Sequence, residues 1–427
     1  MDIKENSGEN ASCEKNLQSE SKTTKYKKVK KPRRVSLASV IVIVLFAMLF
    51  TFQTTYVVLT ASHKLELNKV KNNISELEAV VEAYGIFKEN CIYDLDTDNL
   101  SQYMLYAFGA EDGYFSYLTY EEFLDMYYAS AGNASGVGIY INEAEDGILV
   151  LHVMPNSPAE KAGIKAGDVI VAIGGTRVLD VGFDNATTLT VGNIGDKKVF
   201  TVRRGESEIE ITVTLGQYTP ETVIYSMIEE DGEKIGYIRI LQFDLITVSQ
   251  FKTAVSSLTS NGCEKLIFDV RDNPGGELDA IVDILDYLLP EGPIVRILDS
   301  KKNEIERYTS DENEIDIPMT VLVNGNTASA AELFTSALRD YEKAIIIGEK
   351  TYGKGCGQAA YRLESTGGYI WVTSFYYNPP FGENYDREGI YPNVEVALPE
   401  EYSDKNLFLV PYESDTQLQA AVAYLTK

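Results

Sequence analysis

The chain has 427 residues, of which 44% are hydrophobic and 24% are charged, a composition that suits two or three globular domains and excludes a wholly disordered chain. Its formal net charge of −26 argues against nucleic acid as a partner. The only two histidines are His63 and His152, so a serine, histidine and aspartate triad is nearly excluded. The four cysteines are spread singly without metal-ligand spacing, and we expect neither a metal nor another cofactor.

A transmembrane anchor is predicted over residues 35–62, after a basic tail at residues 1–34. The anchor segment, VSLASVIVIVLFAMLFTFQTTYVVLTAS, has no charged residue and exceeds the ~20 residues that span a bilayer. The tail carries ten basic and five acidic residues, so the positive-inside rule places it in the cytoplasm and the rest of the chain outside. We therefore expect a single-pass cell-membrane protein. A cleaved signal peptide is the alternative, but its apolar region would span only about 7–15 residues.

Residues 63–131 are predicted to be a helical region. Apolar residues recur at helical spacing from Leu67 to Tyr84, which indicates an amphipathic helix close to the membrane. Thr119 begins another helix after the segment AEDGYFSYLT, which is rich in glycine and aromatic residues. The apolar faces could pack on the rest of the chain or on a second copy, so a homodimer is an open alternative.

Residues 132–218 change to short β runs with glycine turns, and the segment SPAEKAGIKAGDVIVAIGG resembles part of a PDZ domain. PDZ domains add a peptide as a strand to a sheet edge and capture its terminal carboxylate with backbone amides. The resemblance implies that Gly136, Val137, Gly138 and Ile139 form the carboxylate loop. The second PDZ helix would fall in FDNATTLTVGNIG, whose β-branched threonines favour helix poorly, so we expect a short or adaptable groove.

Residues 219–400 alternate strand and helix patterns, which predicts a mainly parallel sheet covered by helices, an α/β fold. The last part of this region, AAYRLESTGGYIWVTSFYYNPP, indicates β hairpins. Residues 401–427 are predicted to be a C-terminal tail that ends in a short helix from Asp415 to Lys427.

Ser329 and Lys354 are the candidate reactive pair. Ser329 stands among the small residues TASAA at the start of a predicted helix, where the positive end of the helix dipole favours an oxyanion. Ser329 and Glu332 also fit a capping box, so a structural role alone could explain them. Lys354 lies between two glycines after a predicted strand, and a general base there must lose about 3 pKa units by burial. Lys350 is the rival, without the paired glycines.

Three further groups could support this pair. Gln358 could orient the lysine by a hydrogen bond, or it could be an ordinary amide at a strand edge. The turn in DVRDNPGGEL lets Gly275 or Gly276 present a backbone amide closely, and Ala330 would supply a second donor to an oxyanion. We interpret Cys356 as a small core residue, although it lies close to Lys354 in sequence.

The segments DVRDNPGG, TASAAELFTSALRDY and IIGEKTYGKG, with Gln358 and the later NPPFGENYDREGIYPNVEV, resemble the carboxyl-terminal processing, or tail-specific, serine proteases over about residues 64–400. The resemblance implies a Ser329 nucleophile, a Lys354 general base and Gln358 as the third member. It also implies that the amides of Gly275 and Ala330 form the oxyanion hole.

The same resemblance implies a core of the ClpP and crotonase type and a PDZ domain that gates access by binding the substrate's C-terminus. Ala331 and Cys356 depart from the residues usual in the family, but neither change removes a catalytic group. We therefore predict a membrane-anchored endopeptidase that cuts exported proteins with free C-termini. The alternatives are a catalytically silent PDZ adaptor and a protease that stays inactive until its PDZ domain is filled.

Overall fold

A computed structural model of the chain describes residues 77–90 and 103–427. The chain divides into two compact units, residues 1–95 and residues 96–427. In the first unit, helix α1 (Glu78–Asn90) lies in the region predicted to be helical and buries none of its side chains. The predicted basic tail and membrane anchor lie outside the described residues. Within the described ranges, no helix is both long and apolar enough to cross a bilayer.

The second unit opens with a short segment that precedes the PDZ region. A 3₁₀ turn (Ala107–Ala110) leads to strand β1 (Ser116–Leu118) and helix α2 (Tyr120–Ser130). The predicted helix start at Thr119 is confirmed: its hydroxyl accepts from the Glu122 amide (3.2 Å), and the Glu122 carboxylate accepts from the Thr119 amide (2.8 Å).

The PDZ region is a small β domain with its own hydrophobic core. Its strands run in the order β3-β4-β5-β7-β8, with β6 paired to β5, while β2 and β9 form a separate pair. Its elements are β2 (Ala134–Gly136), β3 (Ile139–Ala144), β4 (Gly147–Val153), α3 (Pro158–Ala162), β5 (Val169–Ile173), β6 (Thr176–Arg177), α4 (Val178–Val181), α5 (Phe183–Thr188), β7 (Lys197–Arg204), β8 (Ser207–Thr214) and β9 (Gly216–Tyr218). Strand β3 is an edge of this sheet, the position that a peptide strand would extend.

Helix α5 is short, as its sequence predicts. It spans six residues, and the hydroxyls of Thr187 and Thr188 each donate to the carbonyl three residues earlier, both at 2.7 Å. Such bonds occupy backbone acceptors that a longer helix would use, and β-branched residues add an entropic cost. The helical wall expected beside β3 is therefore less than two turns long.

The remaining residues form the larger domain. Its elements are β10 (Val223–Glu230), β11 (Glu233–Ile240), α6 (Thr247–Ser260), β12 (Lys265–Asp269), α7 (Leu278–Leu288), β13 (Gly292–Leu298), β14 (Glu304–Ser310), β15 (Met319–Val323), α8 (Ala330–Asp340), β16 (Ala344–Gly348), β17 (Cys356–Arg362), β18 (Tyr369–Asn378), β19 (Val394–Glu395) and α9 (Thr416–Leu425). The main sheet runs β10-β11-β12-β15-β16-β19, and every pair except β10 with β11 is parallel. The predicted mainly parallel sheet is confirmed.

Each face of this sheet packs against a different layer, because successive strand side chains point to opposite faces. In β12, Phe268 joins the cluster formed with α6, α7 and α8, whereas Ile267 packs with the C-terminal helix α9. The same alternation holds for Val321 and Leu322 in β15. Helix α8 is buried over most of its length, which fixes the position of its first residue.

A second sheet of five strands, ordered β1-β18-β13-β14 with β17 on the other edge of β18, forms beside the first. The sequence predicted the β17 and β18 hairpin, but it did not predict β1, β13 or β14. Strand β1 is only three residues long and pairs with residues 369–371 far along the chain. Pairing across such a separation leaves no local signal for a sequence pattern to detect.

A buried arginine joins the C-terminal helix to the core. Arg271 donates to both carboxylate oxygens of Asp269 at 2.9 and 2.6 Å, to those of Asp415 at 2.9 and 2.8 Å, and to Gln417 at 2.9 Å. Asp415 also caps α9 by accepting from the amide of Leu418. The predicted short C-terminal helix is confirmed, and it is anchored directly below the segment that leads to the NPGG turn.

Candidate active site

Ser329 lies at the N-terminus of α8 in a strained conformation. Its φ is +56° and its ψ is −120°, a region that residues with a side chain rarely occupy. Such strain costs about 1–3 kcal/mol and persists only where the surroundings impose it, often at functional sites. The dipole of the helix N-terminus favours negative charge beside the Ser329 hydroxyl.

A single buried carboxylate ties the Ser329 turn to the Lys354 loop. Oε2 of Glu332 accepts from the amides of Ser329 (3.0 Å) and Lys354 (2.8 Å). Oε1 accepts from the Gly353 amide (2.7 Å) and the Thr351 hydroxyl (2.5 Å). Burial raises the pKa of the Glu332 carboxyl even though four donors favour its charged form. The sequence assigned Glu332 only a capping role, yet it joins the two candidate reactive residues.

The Lys354 side chain lies in a mostly apolar, aromatic environment. Its Nζ donates to Oε1 of Gln358 at 2.9 Å and lies 4.3 Å from the ring centre of Tyr114. Burial lowers the pKa of the Lys354 amine below its usual value, while Cys356 and Asp112 act in the opposite direction. No ion pair to Nζ forms within the described residues. The direction of this shift is the one that a lysine base requires.

Gln358 binds Lys354 from β17, a strand that pairs with β18. It lies in β17 opposite Thr373 of β18, just after a register shift at Gly357. Its Nε2 donates to the carbonyl oxygen of Tyr114, so its Oε1 is directed at the lysine. The sequence-based expectation that Gln358 hydrogen bonds to Lys354 agrees with this geometry.

Ser329, Lys354 and Gln358 line one cavity of about 570 Å³. Its apolar wall is formed by Leu278, Ile281, Leu333, Trp371 and Phe375. The cavity is large enough for several residues of an extended peptide, and its apolar wall suits uncharged side chains.

The NPGG turn brings Gly275 against the serine. A Cβ atom on Gly275, whose φ is +105°, would lie 2.7 Å from Cβ of Ser329 and 2.9 Å from the Ala330 nitrogen, so only glycine fits. In this conformation the Gly275 amide donates to Oδ1 of Asn273 at 2.8 Å. The Ala330 amide, at the first position of α8, donates to no acceptor in the part of the chain that the structure describes. Of the two predicted oxyanion donors, Ala330 is therefore available and Gly275 is occupied.

Comparisons with known proteins identify the family of the chain and support its fold. Residues 234–396 match peptidase family S41, and residues 135–215 match the PDZ domain. A carboxyl-terminal-processing protease of Picosynechococcus is 33% identical over 325 residues, covering 74% of this chain and 76% of that protein.

The chain belongs to peptidase family S41. A probable CtpA-like serine protease of Staphylococcus epidermidis is 30% identical over 374 residues, covering 86% of this chain and 74% of the relative. The structure of a putative S41 protease from Bacteroides fragilis superposes with a TM-score of 0.53 at 17% identity, covering 74% of this chain and 87% of the other, which supports the fold. The protein is thus a serine endopeptidase of the carboxyl-terminal-processing type, with a PDZ domain.

Neither Lys350 nor Cys356 is placed to react: Lys350 lies outside the cavity, and Cys356 lines the cavity as a buried thiol. Lys350 is exposed, and its Nζ lies 5.3 Å from the ring centre of Tyr391 rather than in the cavity. Cys356 is a buried free thiol whose pKa is raised to about 12 by burial and by Asp386. A thiol in this state is protonated at neutral pH and is a poor nucleophile. The interpretation of Cys356 as a small core residue fits this environment.

The loop expected to capture a carboxylate lies between β2 and β3 of the PDZ domain. The amides of Val137 and Gly138 donate to no acceptor within the described residues. The carbonyls of these two residues accept from Ala159 (2.9 Å) and Met154 (3.1 Å), so the loop is fixed from its other side. Gly136 ends β2, which pairs with β9, and Ile139 begins β3, so Val137 and Gly138 connect the small strand pair to the edge strand of the larger sheet.

The sequence did not identify several residues that surround the lysine. Tyr114 and Asp112 approach it from the segment before the PDZ domain, and Tyr377 donates its phenol to the Lys354 carbonyl oxygen. Tyr114 and its partner Gln358 are 244 positions apart in sequence. Only the AEDGYFSYLT resemblance included this segment, and no local pattern linked it to the site.

Proposed function

We propose that this S41 peptidase is a membrane-anchored enzyme that cuts exported proteins near their C-termini through an acyl-enzyme on Ser329. The observation that carries the proposal is the Glu332 carboxylate, which holds the Ser329 and Lys354 backbones beside one cavity. A half-buried lysine whose amine faces a neutral amide is suited to accept a proton from a serine.

In the proposed reaction, Lys354 Nζ takes the proton of Ser329 Oγ while Oγ attacks the scissile carbonyl carbon. The tetrahedral intermediate collapses, the C–N bond breaks, and the Lys354 ammonium gives its proton to the leaving amine. A water molecule then attacks the acyl-enzyme while Lys354 again accepts the proton. The second tetrahedral intermediate collapses, the bond between the acyl carbon and Ser329 Oγ breaks, and the Lys354 ammonium returns the proton to Oγ as the new carboxyl terminus leaves. Gln358 orients Nζ in each step through its side-chain oxygen.

The Ala330 amide is the first donor to the oxyanion. It is unpaired among the described residues and lies at a helix N-terminus. Gly275 becomes the second donor when substrate binding turns its amide away from Asn273. Gly275 is suited to this role because its backbone lies directly against Ser329 and the Ala330 nitrogen.

Labelling with a fluorophosphonate tests the nucleophile. We expect the full-length wild-type chain to be labelled at Ser329, whereas Ser329→Ala and Lys354→Ala lose both labelling and peptide cleavage. Ser135→Ala, at an exposed serine of the PDZ domain, is the matched control and stays labelled. Binding of C-terminal peptides without labelling of the wild type would instead support the silent adaptor, and full activity of Ser329→Ala would refute the proposal.

The PDZ domain is proposed to bind the substrate's C-terminus and to gate cleavage. The unpaired Val137 and Gly138 amides and the open edge of β3 support this role. We expect a peptide with a free C-terminal carboxylate to be cleaved faster than its amidated form. Equal rates for the two peptides would remove the gate while leaving the Ser329 chemistry intact.

The anchor proposal rests on the uncharged segment at residues 35–62 and the basic tail before it. We expect the full-length chain to stay in the membrane fraction after alkaline extraction and a protease added outside the cell to reach the PDZ and peptidase domains. Release by alkaline extraction would contradict the anchor. Protection from the external protease would reverse the proposed orientation.

A further inference from the structure

A segment from before the PDZ domain contacts the side chains of Lys354 and Gln358. Strand β1 pairs with β18, with Ser116 opposite Trp371, while β17 pairs with the other edge of β18 and places Ala360 opposite the same Trp371. The residues just before β1 are thereby held over β17, which carries Gln358. This arrangement brings Asp112 and Tyr114, which precede the PDZ domain in sequence, close to Lys354, which follows it.

Tyr114 contacts both members of the Lys354 and Gln358 pair. Its ring centre lies 4.3 Å from Nζ, and its carbonyl oxygen accepts from Nε2 of Gln358. Because that bond occupies the amide nitrogen, the Gln358 oxygen is left to face the lysine amine. One residue therefore both covers Nζ and fixes the orientation of its hydrogen-bond partner.

Asp112 fixes the segment that carries Tyr114. Its carboxylate accepts from the amide and hydroxyl of Thr373, both at 2.8 Å, and from the Tyr114 amide at 3.1 Å. Thr373 is the register partner of Gln358 across β17 and β18. Asp112 thus holds the Tyr114 segment on Thr373, the same residue that pairs with Gln358 across the two strands.

We propose that Tyr114 is a positioning residue for Lys354: its ring shields Nζ from water, and its carbonyl oxygen holds Gln358 in the orientation that accepts from Nζ. The inference deepens the proposed function, since it rests on Lys354 as the general base. It assigns to the segment before the PDZ domain a part in the chemistry rather than only in packing.

The ring exerts two opposing effects on the amine. A tyrosine face attracts an ammonium group, which favours the charged form, and it excludes water, which disfavours that form. Burial is the larger influence on Lys354, because the pKa of its amine is lowered. The ring contributes to this burial by its position 4.3 Å from Nζ, so we expect its removal to admit water and raise the pKa of the amine.

Several charged and titratable groups surround Lys354, and two of them, Asp112 and Cys356, affect the pKa of its amine. The negative charge of Asp112 favours the ammonium, and so does Cys356 when ionised. The carboxylate of Glu332 faces the Lys354 backbone, and Asp386 accepts from the next amide, that of Gly355. The phenol of Tyr377 donates to the Lys354 carbonyl oxygen. Among these side chains, Asp112 offers a test. Its neutralisation should lower the pKa of the Lys354 amine, whereas loss of the Tyr114 ring should raise it.

The experiment follows the titration of Lys354 directly. The full-length chain carrying Ser329→Ala is labelled with [13Cε]lysine, and the Lys354 signal is assigned by its loss in the Lys354→Arg variant. The midpoint of the Lys354 titration is measured by NMR in the Ser329→Ala chain, which is the parent. It is then measured in the parent with Tyr114→Ala, Tyr114→Phe, Asp112→Asn or Tyr120→Ala added. Tyr120 is the matched control, because it is an exposed tyrosine at the start of α2.

Three results are expected. Tyr114→Ala raises the midpoint by about one pH unit, a tenfold change in the proton-binding equilibrium, whereas Tyr114→Phe restores the parent value because it keeps the ring. Asp112→Asn lowers the midpoint by about half a unit, since an amide oxygen can still accept from Thr373 but carries no charge. Tyr120→Ala leaves the midpoint unchanged. Opposite signs for two neighbouring variants cannot arise from a common loosening of the segment.

The inference is overturned if Tyr114→Ala leaves the midpoint unmoved or if Asp112→Asn shifts it upward as well. Labelling distinguishes this result from failure of the proposed function. If no fluorophosphonate modifies the wild-type chain, the chain lacks the acylation chemistry, whatever the midpoint of the Lys354 titration. In the active chain, the pH midpoint of acylation should move with the NMR midpoint. A loss of rate without a shifted profile would reduce Tyr114 to a structural role.

Discussion

The reactive site and the peptide-binding loop of the PDZ domain are built in opposite ways. At the reactive site, one buried carboxylate accepts four hydrogen bonds, and segments from before and after the PDZ domain meet around Lys354. In the PDZ loop, two amides remain unpaired among the described residues, and the helix at the groove has only six residues. Hydrogen bonds thus fix the backbones of Ser329 and Lys354, whereas the PDZ loop keeps two donors unpaired among the described residues. Pre-organisation of this kind favours a reaction, and an open edge favours varied peptides.

The largest effect that would test this contrast comes from replacing the base. Lys354→Met should reduce acylation by about 10⁴-fold, the upper end of the range for a positioned general base, with little change in peptide affinity at the PDZ domain. Fluorophosphonate labelling rates and binding of a C-terminal peptide measure the two effects separately. Retained labelling would show that another group activates Ser329, with Lys350→Met as the control on the neighbouring exposed lysine.

The shared carboxylate should be next in importance. Glu332→Gln places a side-chain NH₂ group among backbone amides that need acceptors, and each unsatisfied group costs about 1–3 kcal/mol. We expect acylation to fall by about 10²-fold through displacement of the Ser329 and Lys354 backbones. Labelling kinetics and thermal unfolding measure the two losses. A variant that is destabilised but reacts normally would mean that Glu332 serves stability alone.

A change in the PDZ loop should affect recognition without affecting chemistry. Gly138 has a φ of +80°, and a Cβ atom there would lie 2.4 Å from Cβ of Ser157, so Gly138→Ala must move the loop. The KM for a substrate with a free C-terminus should rise about tenfold, the loss of roughly one hydrogen-bonded contact to a carboxylate. Fluorophosphonate labelling should stay at the wild-type rate. A parallel loss of labelling would show that the two regions are rigidly coupled.

The pH dependence of stability gives a smaller signal. The folded-state pKa of Lys354 is below its usual value, so the unfolded chain binds more protons between that pKa and about 10.5, and this group lowers stability at neutral pH. Its cost should fade as the pH rises through this window. Lys354→Met should therefore unfold at a temperature no lower than wild type at pH 7, with an advantage that shrinks toward pH 10.5. An advantage that grows with pH would contradict the lowered pKa.

The smallest effect is expected in helix α5. Thr187→Ala removes a hydroxyl that donates to the Asp184 carbonyl and adds helix propensity, a gain of about 0.5 kcal/mol. Peptide affinity should change by less than about threefold, in line with that free energy. Peptide titration with Asn185→Ala as a control in the same helix would measure it. A change of tenfold or more would show that the groove depends on this helix more than its length suggests.

Local patterns predicted much of this protein correctly. The succession of strands and helices in residues 219–400, the helix that follows Ser329 and the helix start at Thr119 all form as their sequences indicate. These features depend on neighbours a few positions away, which is the range that periodicity and capping preferences report. The residues Ser329, Lys354 and Gln358 could be proposed for the same reason, because each stands beside its own local signal.

Only the tertiary structure decided what surrounds those residues. The four bonds of Glu332, the cover that Tyr114 provides over Lys354 and the bond between Asn273 and the Gly275 amide join positions separated by a turn, a strand or a whole domain. The pKa of a lysine is set by its neighbours in space, and a sequence does not state which distant segment will exclude water from it. The sequence alone thus determined the candidate reacting groups and the elements that carry them, and the packed chain determined their electrostatic state.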